Sequence, residues 1–424
     1  MQHIANSVSN ESQENNQLMA WIVCISASLF FFYEFIQGNM FASIGDHIMR
    51  DFHIKADTMA MMSSIYYVSN VIFLFLAGLL LDTFSPKKTI LVAMFFCIFG
   101  TFVFANTDSF IVAMICRFIT GIGSAFCFLG PVRIASRWFP SHRMALVTGV
   151  IVTIAMTGGM IAQNPLTNLV VHYGWRQSLM YVGYLGIVIL ILMQFGIVER
   201  EEDSQNLTSG EAFSAKKTYL NWKNLAPAIY TSLMNMAIAV WGAMMGTAYL
   251  KQRLDTGADI ASSINSLLFL GVIIGGPFMG WLSDKISLRL PPMKWGVFLS
   301  LTVTLFILYA PVTPMLMGIL FFLLGFFTST QVISYALVAE SNSPAVTARA
   351  VSVISILTQG GFVLYQNLFS NILVLYGNEA VTADGTPIYS LAGYQSANII
   401  IIAGLLFAGL ITYGVRETFC RVQE

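Results

Sequence analysis

Gly78-Leu79-Leu80-Leu81-Asp82-Thr83-Phe84-Ser85-Pro86-Lys87-Lys88 and Gly280-Trp281-Leu282-Ser283-Asp284-Lys285-Ile286-Ser287-Leu288-Arg289 share the pattern G-x-x-x-D-x-x-S-x-[K/R]. Each stretch closes an apolar run, and each of those runs is the second in a group of six. A short polar signature that returns at the same place in two groups marks an internal repeat. Two six-helix halves related by such a repeat are an architecture of membrane carriers.

Composition agrees with a chain that lives in lipid. Of 424 residues, 56 % are apolar and only 10 % charged, against roughly 25 % charged in soluble globular domains. A bilayer removes the need to cover an apolar body with charge. Lys plus Arg and Asp plus Glu number 21 each, and a zero balance argues against a nucleic-acid partner. Cys24, Cys97, Cys116, Cys127 and Cys420 show no CxxC spacing. His3, His47, His53, His142 and His172 lie at the edges of the apolar runs or outside them. Neither a metal site, a cofactor nor an enzyme's cluster of acids and bases is expected.

A bilayer span needs about 20 mostly apolar residues. Runs at about 20–42, 57–80, 88–106, 109–132, 144–168, 175–197, 225–249, 259–282, 293–311, 313–336, 348–375 and 392–413 predict twelve spans in an all-α integral membrane protein. Asn106, Thr107 and Asp108 separate the third from the fourth, and Pro311 and Pro314 the ninth from the tenth. The expected organisation is a polar tail over 1–19, a bundle over 20–197, a central loop over 198–224, a second bundle over 225–413 and a tail over 414–424. The first 19 residues contain no Lys or Arg and do not read as a signal peptide. Lys and Arg gather in cytoplasmic loops. With the amino terminus inside, only Arg50, Lys55, Arg176, Lys251 and Arg253 face outward, and every other Lys or Arg except Arg117 falls inside. Both termini are therefore expected in the cytoplasm.

Ionisable groups deep in a membrane mark functional sites. Glu34 in the first span and Arg117 in the fourth are the two deep charges. Counted at 1.5 Å per residue, they lie at similar depth, which invites pairing. Glu34 is a candidate protonation site. Arg117 suits a carboxylate, because a guanidinium grips one through two parallel bonds. Other polar side chains in the runs include Gln37, Asn39, Tyr66, Tyr67, Asn70, Gln163, Asn164, Asn235, Trp241, Asn265 and Gln359. Each serves equally well as glue between helices. Gly121, Gly123, Gly158 and Gly159 permit close helix crossing.

These features resemble the major facilitator superfamily over essentially the whole chain. Its signature in the loop after the second span is similar to Gly78, Asp82 and Lys87, with Thr83 where a basic residue is usual and Ser85 where a Gly is usual. The second copy keeps the basic residue as Lys285. A further signature resembles Arg117-Phe-Ile-Thr-Gly121-Ile-Gly123-Ser-Ala125. The resemblance implies two six-helix halves with inverted 3+3 repeats, and a gate on the cytoplasmic side built from Gly78, Asp82, Lys87, Gly280, Asp284, Lys285 and Arg289. It also implies a central site to which Glu34, Arg117, Gln37, Asn39, Tyr67, Asn70, Asn235, Trp241 and Gln359 contribute, for substrate or proton coupling. The stretch Phe30-Phe-Phe-Tyr-Glu34-Phe-Ile-Gln37-Gly-Asn39-Met40-Phe41 is similar to the phagosomal transporter group of intracellular bacteria, which is associated with import of amino acids and of nucleosides.

The expectation is a proton-coupled importer of a small polar solute, an amino acid first, in a bacterial inner membrane, working as a monomer among lipids without nucleic acid. A zwitterion fits one carboxylate and one guanidinium. Nucleoside import, export of a drug or siderophore, and a nontransporting receptor on a carrier fold stay open as alternatives.

Overall fold

The computed structural model describes residues 2–139, 143–199, 220–342, 344–377, 380–382 and 385–420; side chains at 2–16, 75, 79, 82, 145, 146 and 344–349 lie outside that description. Most of the expected central loop (200–219) lies outside the described residues.

In the amino-terminal half, α1 (Gln2–Asn39) runs into α2 (Phe41–Asp51), followed by α3 (Ala56–Thr83) and α4 (Pro86–Asn106). Next come α5 (Phe110–Ser124) continued by α6 (Leu129–Ala135), α7 (Met144–Ile161) continued by α8 (Asn164–Tyr173), and α9 (Trp175–Gly196). The carboxy-terminal half opens with α10 (Trp222–Met234), a π-helical segment Ile238–Met245 and α11 (Gly246–Leu254). It continues through α12 (Ala258–Ile286), α13 (Leu290–Tyr309), α14 (Pro314–Thr328), α15 (Ile333–Glu340), α16 (Pro344–Tyr376) and α17 (Leu391–Ile411). Among the described residues, ten helices or helix runs are long and apolar enough to cross a membrane; α3 and α16 are the long helices outside that ten. The protein is an all-α, multi-pass membrane protein. Two short antiparallel strands, Ala380–Val381 and Pro387–Ile388, decorate the connection before α17.

Helix starts follow local chemistry. Ser85 Oγ accepts from the Lys88 amide with Pro86 in the first turn, and Thr313 accepts from Leu316 ahead of Pro314. Both satisfy otherwise orphaned N–H groups. Ser109 and Ser390 cap α5 and α17 in the same way. Glycine sets the closest crossings. A Cβ at Gly121 of α5 would stand 2.2 Å from the Tyr66 carbonyl of α3, and one at Gly325 of α14 would stand 2.0 Å from the Leu268 carbonyl of α12. The two halves thus cross matching helices backbone to backbone.

The halves meet along α3 with α16, α7 and α8 with α12, and α2 with the π-helical segment and α11. At the end expected to face outward, bonds cross between them. Lys251 pairs with Asp46 at 2.8 Å. The Ala56 amide donates to Tyr389 (3.0 Å) and Asn367 to Ser64 (3.0 Å). Gln163, in the break between α7 and α8, donates to the Gly242 carbonyl (2.7 Å) and accepts from Asn265 (2.7 Å), which also donates to the Trp241 carbonyl (3.0 Å). The π-helical segment carries both carbonyls, and that of Trp241 accepts the Gly246 amide as well as Asn265. A cavity of about 40 Å³ near the same seam, lined by Ser43, Asp46, His47, Thr247 and Lys251 among others, has room for little more than water.

At the opposite end each half closes on itself. Helix α6 packs on α1, α3, α4 and α7, while α15 packs on α10, α12 and α16. Lys87 Nζ donates to the Ile197 carbonyl at 2.6 Å, and Ser85 hydroxyl and Lys87 amide both donate to Glu199.

Candidate functional site

Both deep charges are buried, at 1 % exposure each for Glu34 and Arg117. Their similar depth does not bring them into direct contact in this structure. Among the described residues, no ion pair within the 4.0 Å limit joins them. Tyr66 of α3 stands between them instead. Its hydroxyl donates to Glu34 Oε2 at 3.0 Å and lies 3.2 Å from the Glu34 carbonyl oxygen. Its ring centroid is 4.7 Å from Arg117 Cζ, with Phe41 on a further side at 5.1 Å. Two charges at one depth leave space that a flat aromatic side chain can fill, and depth counting along single helices does not register a third helix.

Among the described residues, neither charge is fully satisfied by hydrogen bonds. Nε, Nη1 and Nη2 of Arg117 and Oε1 of Glu34 find no hydrogen-bond partner among the described residues. Two aromatic faces stabilise a guanidinium by about 1–2 kcal/mol each when desolvated, but they accept no hydrogen bond in its plane. Carrying an Arg to the middle of a membrane costs about 3 kcal/mol even on the mildest scale. The in-plane donors of Arg117 are therefore available to an anionic group.

The other expected site residues are distributed differently. Gln37 donates to Thr101 of α4 (2.9 Å), and Asn39 to the Phe35 carbonyl one turn back (2.7 Å). Tyr67 donates to the Gly38 carbonyl (2.7 Å), and Asn70 to Ser124 of α5 (2.7 Å). Asn235 donates to the Thr231 carbonyl in its own helix (3.0 Å). These groups act as helix glue in this conformation. The Trp241 indole N–H donates to Asn398 of α17 (2.9 Å), and its ring stacks on Tyr249 and Phe321 inside the carboxy-terminal half. In this conformation the large apolar indole fills the core of its own bundle. Gln359 is half-buried on α16.

The expected gate residues separate into three kinds. The side chain of Asp82 lies outside the described residues. An added Cβ at Gly78 or Gly280 would meet nothing within 4 Å, so both signature glycines border open space. Lys285 rests on Trp281, 4.8 Å from the ring. Arg289 binds Asp284 (2.6 Å) and Glu340 (2.6 Å) and is 7 % exposed at its side chain. Burial works against its charge, yet bonds to Glu340 and Asp284 outweigh that and hold the guanidinium above its ordinary range. Sequence reading missed Glu340, at the end of α15, and Glu417, whose carboxylate accepts from the Arg289 and Leu290 amides at 2.8 Å each. Both lie outside the repeated signature, and only the fold brings them to it. Tyr66 was visible as a polar aromatic but had no mark to separate it from Tyr67.

The family profile described as Major Facilitator Superfamily matches residues 24–248 and 219–419. The chain is 22 % identical over 228 residues to a probable sulfoacetate transporter of Cupriavidus necator, covering 50 % of this chain and 53 % of that protein. It is 24 % identical over 157 residues to a hexuronate transporter of Bacillus subtilis, covering 37 % of each. The chain spans about half the length, or less, of these curated relatives. A crystal structure of a D-xylose-proton symporter superposes with a TM-score of 0.75 at 12 % identity, covering 95 % of this chain and 99 % of that one, a likeness of fold. With a profile match running through both halves, the chain belongs to the Major Facilitator Superfamily, and it is a transporter, not an enzyme.

Proposed function

We propose that this secondary transporter of a small solute imports a polar molecule that carries a carboxylate, an amino acid first, and that a proton on Glu34 drives the cycle. The observation that carries the reading is the buried Arg117 guanidinium, whose three nitrogens find no acceptor among the described residues. A carboxylate in the plane of that guanidinium gains charge-assisted bonds. Glu34, held by one hydroxyl on one oxygen, keeps its other oxygen for a proton or a substrate ammonium. In this reading the chain has twelve spans in two halves of inverted 3+3 repeats, both termini lie in the cytoplasm of a bacterium, and it works as a monomer. The bonded outer seam then makes this conformation inward-facing.

A second reading, a carboxylate solute without an ammonium group, is favoured by the relatives named for sulfoacetate and hexuronate. A thermal-shift screen of the purified protein against amino acids, nucleosides, sugars and organic acids separates the two. Stabilisation by organic acids alone selects the second reading, and no shift with any carboxylate sinks both. Solute-driven proton flux in liposomes tests coupling, and flux that survives Glu34→Gln removes Glu34 from its proposed role.

A further inference from the structure

Tyr66 holds both charges at once, and its surroundings tie it to the seam between the halves. Its backbone is fixed: the Gly121 crossing brings α5 onto its carbonyl, which also accepts from Ser69 (3.0 Å). Its ring packs edge-on against Tyr67 at 5.0 Å, and Tyr67 packs edge-on against Phe362 of α16, in the other half, at 4.9 Å. A continuous aromatic ladder therefore runs from the Arg117 guanidinium through Tyr66 and Tyr67 to the opposite half.

We propose that Tyr66 is the positioning residue that couples Glu34 to Arg117 and passes their state to the α3–α16 seam. The proposal rests on the reading of Glu34 as the proton site. A carboxylate is a strong acceptor for the Tyr66 hydroxyl, and a carboxylic acid is a weaker one. Protonation of Glu34 loosens the hydroxyl, so the ring loses its anchor and the guanidinium its platform. An anion that draws Arg117 off the ring reaches Glu34 by the same path in reverse, as linkage requires. The ionisable groups facing Glu34 are Tyr33 on its own helix, Tyr66 on α3, Cys97 on α4, Arg117 on α5, and Cys127 after α5. Of these, Tyr66 binds the carboxylate through its hydroxyl and faces the guanidinium with its ring, while the Cys97 thiol also lies against the carboxylate.

The test needs no identified substrate. Thr247 is buried against the outer seam, so Thr247→Cys in the full-length chain, reconstituted in liposomes, reports outer opening through its rate of labelling by a membrane-impermeant maleimide. Labelling is followed from acid to neutral pH, and the Glu34 component is the part of the pH dependence that Glu34→Gln removes. That component should change the rate about five-fold or more. Tyr66→Phe keeps the ring and loses the hydroxyl; it should abolish the Glu34 component and hold labelling near the parent's acid-pH rate across the whole range. Replacing Tyr66 by 3-fluorotyrosine, a stronger donor of nearly the same shape, should move the midpoint of the component toward acid. An intact component in Tyr66→Phe, or an unmoved midpoint in the fluorinated protein, overturns the proposal while leaving Glu34 in place. A pH profile that Glu34→Gln does not alter overturns the proton-site reading itself.

Discussion

The amino-terminal half buries Glu34 and Arg117 and leaves four of their polar atoms without a hydrogen-bond partner among the described residues; the carboxy-terminal half carries its buried guanidinium, Arg289, at a helix start and surrounds it with Asp284, Glu340 and Ser283. The same guanidinium is left wanting in one place and satisfied in the other. Matching glycine crossings at Gly121 and Gly325 show that the scaffold beneath is shared. The difference teaches where each half places its charge: one in an interior where few partners meet it among the described residues, the other in bracing an end.

The comparison is broken most forcefully at Arg117. Arg117→Gln or Arg117→Met should lower uptake of a carboxylate solute by about 100-fold or more, the cost of losing a desolvated bidentate partner. The same substitution should raise thermal stability by about 1–3 kcal/mol, because an uncompensated buried charge disappears. Liposome uptake and thermal unfolding in detergent measure the two effects. A stability loss at Arg117 would mean that the charge is structural after all.

Arg289 should behave in the opposite sense. Arg289→Ala strands Glu340, which is 14 % exposed at its side chain, and should destabilise the protein by about 3–5 kcal/mol. Arg289→Lys should recover only part of this, since an ammonium cannot serve Asp284 and Glu340 with a rigid fork. Thermal unfolding of the two variants side by side decides the matter.

Much of this contrast was legible in the sequence, and the remainder had a physical reason to be hidden. Hydrophobic run length located the helices, because lipid imposes it locally. Asn106-Thr107-Asp108 and Pro314 marked helix ends, because capping and the missing proline N–H act within a turn. Charge alone singled out Glu34 and Arg117. Tyr66 was hidden because its place between the two charges comes from α1, α3 and α5 meeting at one point, and an indole N–H such as Trp241's carries no sign in an apolar run of which neighbour it will find. Glu340 and Glu417 are ordinary acidic residues until α15 and the tail fold onto the start of α13. The Gln163–Asn265 clasp depends on carbonyls of a π-helical segment, which no residue type announces.

The smallest effect lies at the far end of α2 and sharpens the contrast by showing an exposed charge with ordinary consequences. Asp51 accepts from the Trp175 indole at 2.7 Å and pairs with Arg50 at 3.1 Å. Partial burial pushes its pKa up, but those two bonds, helped by Arg176, outweigh burial and hold the carboxyl below its usual range. A depressed folded value means that the contribution is present above the unfolded value and is lost as pH falls through the folded one. Asp51→Asn should therefore lower the unfolding temperature slightly at neutral pH, by an amount corresponding to less than about 1 kcal/mol for so exposed a pair. The difference from the parent should close as the pH drops below the ordinary carboxylate range, and thermal unfolding across an acid series measures it. A difference that stays constant over the series would assign the effect to the indole contact rather than to the charge.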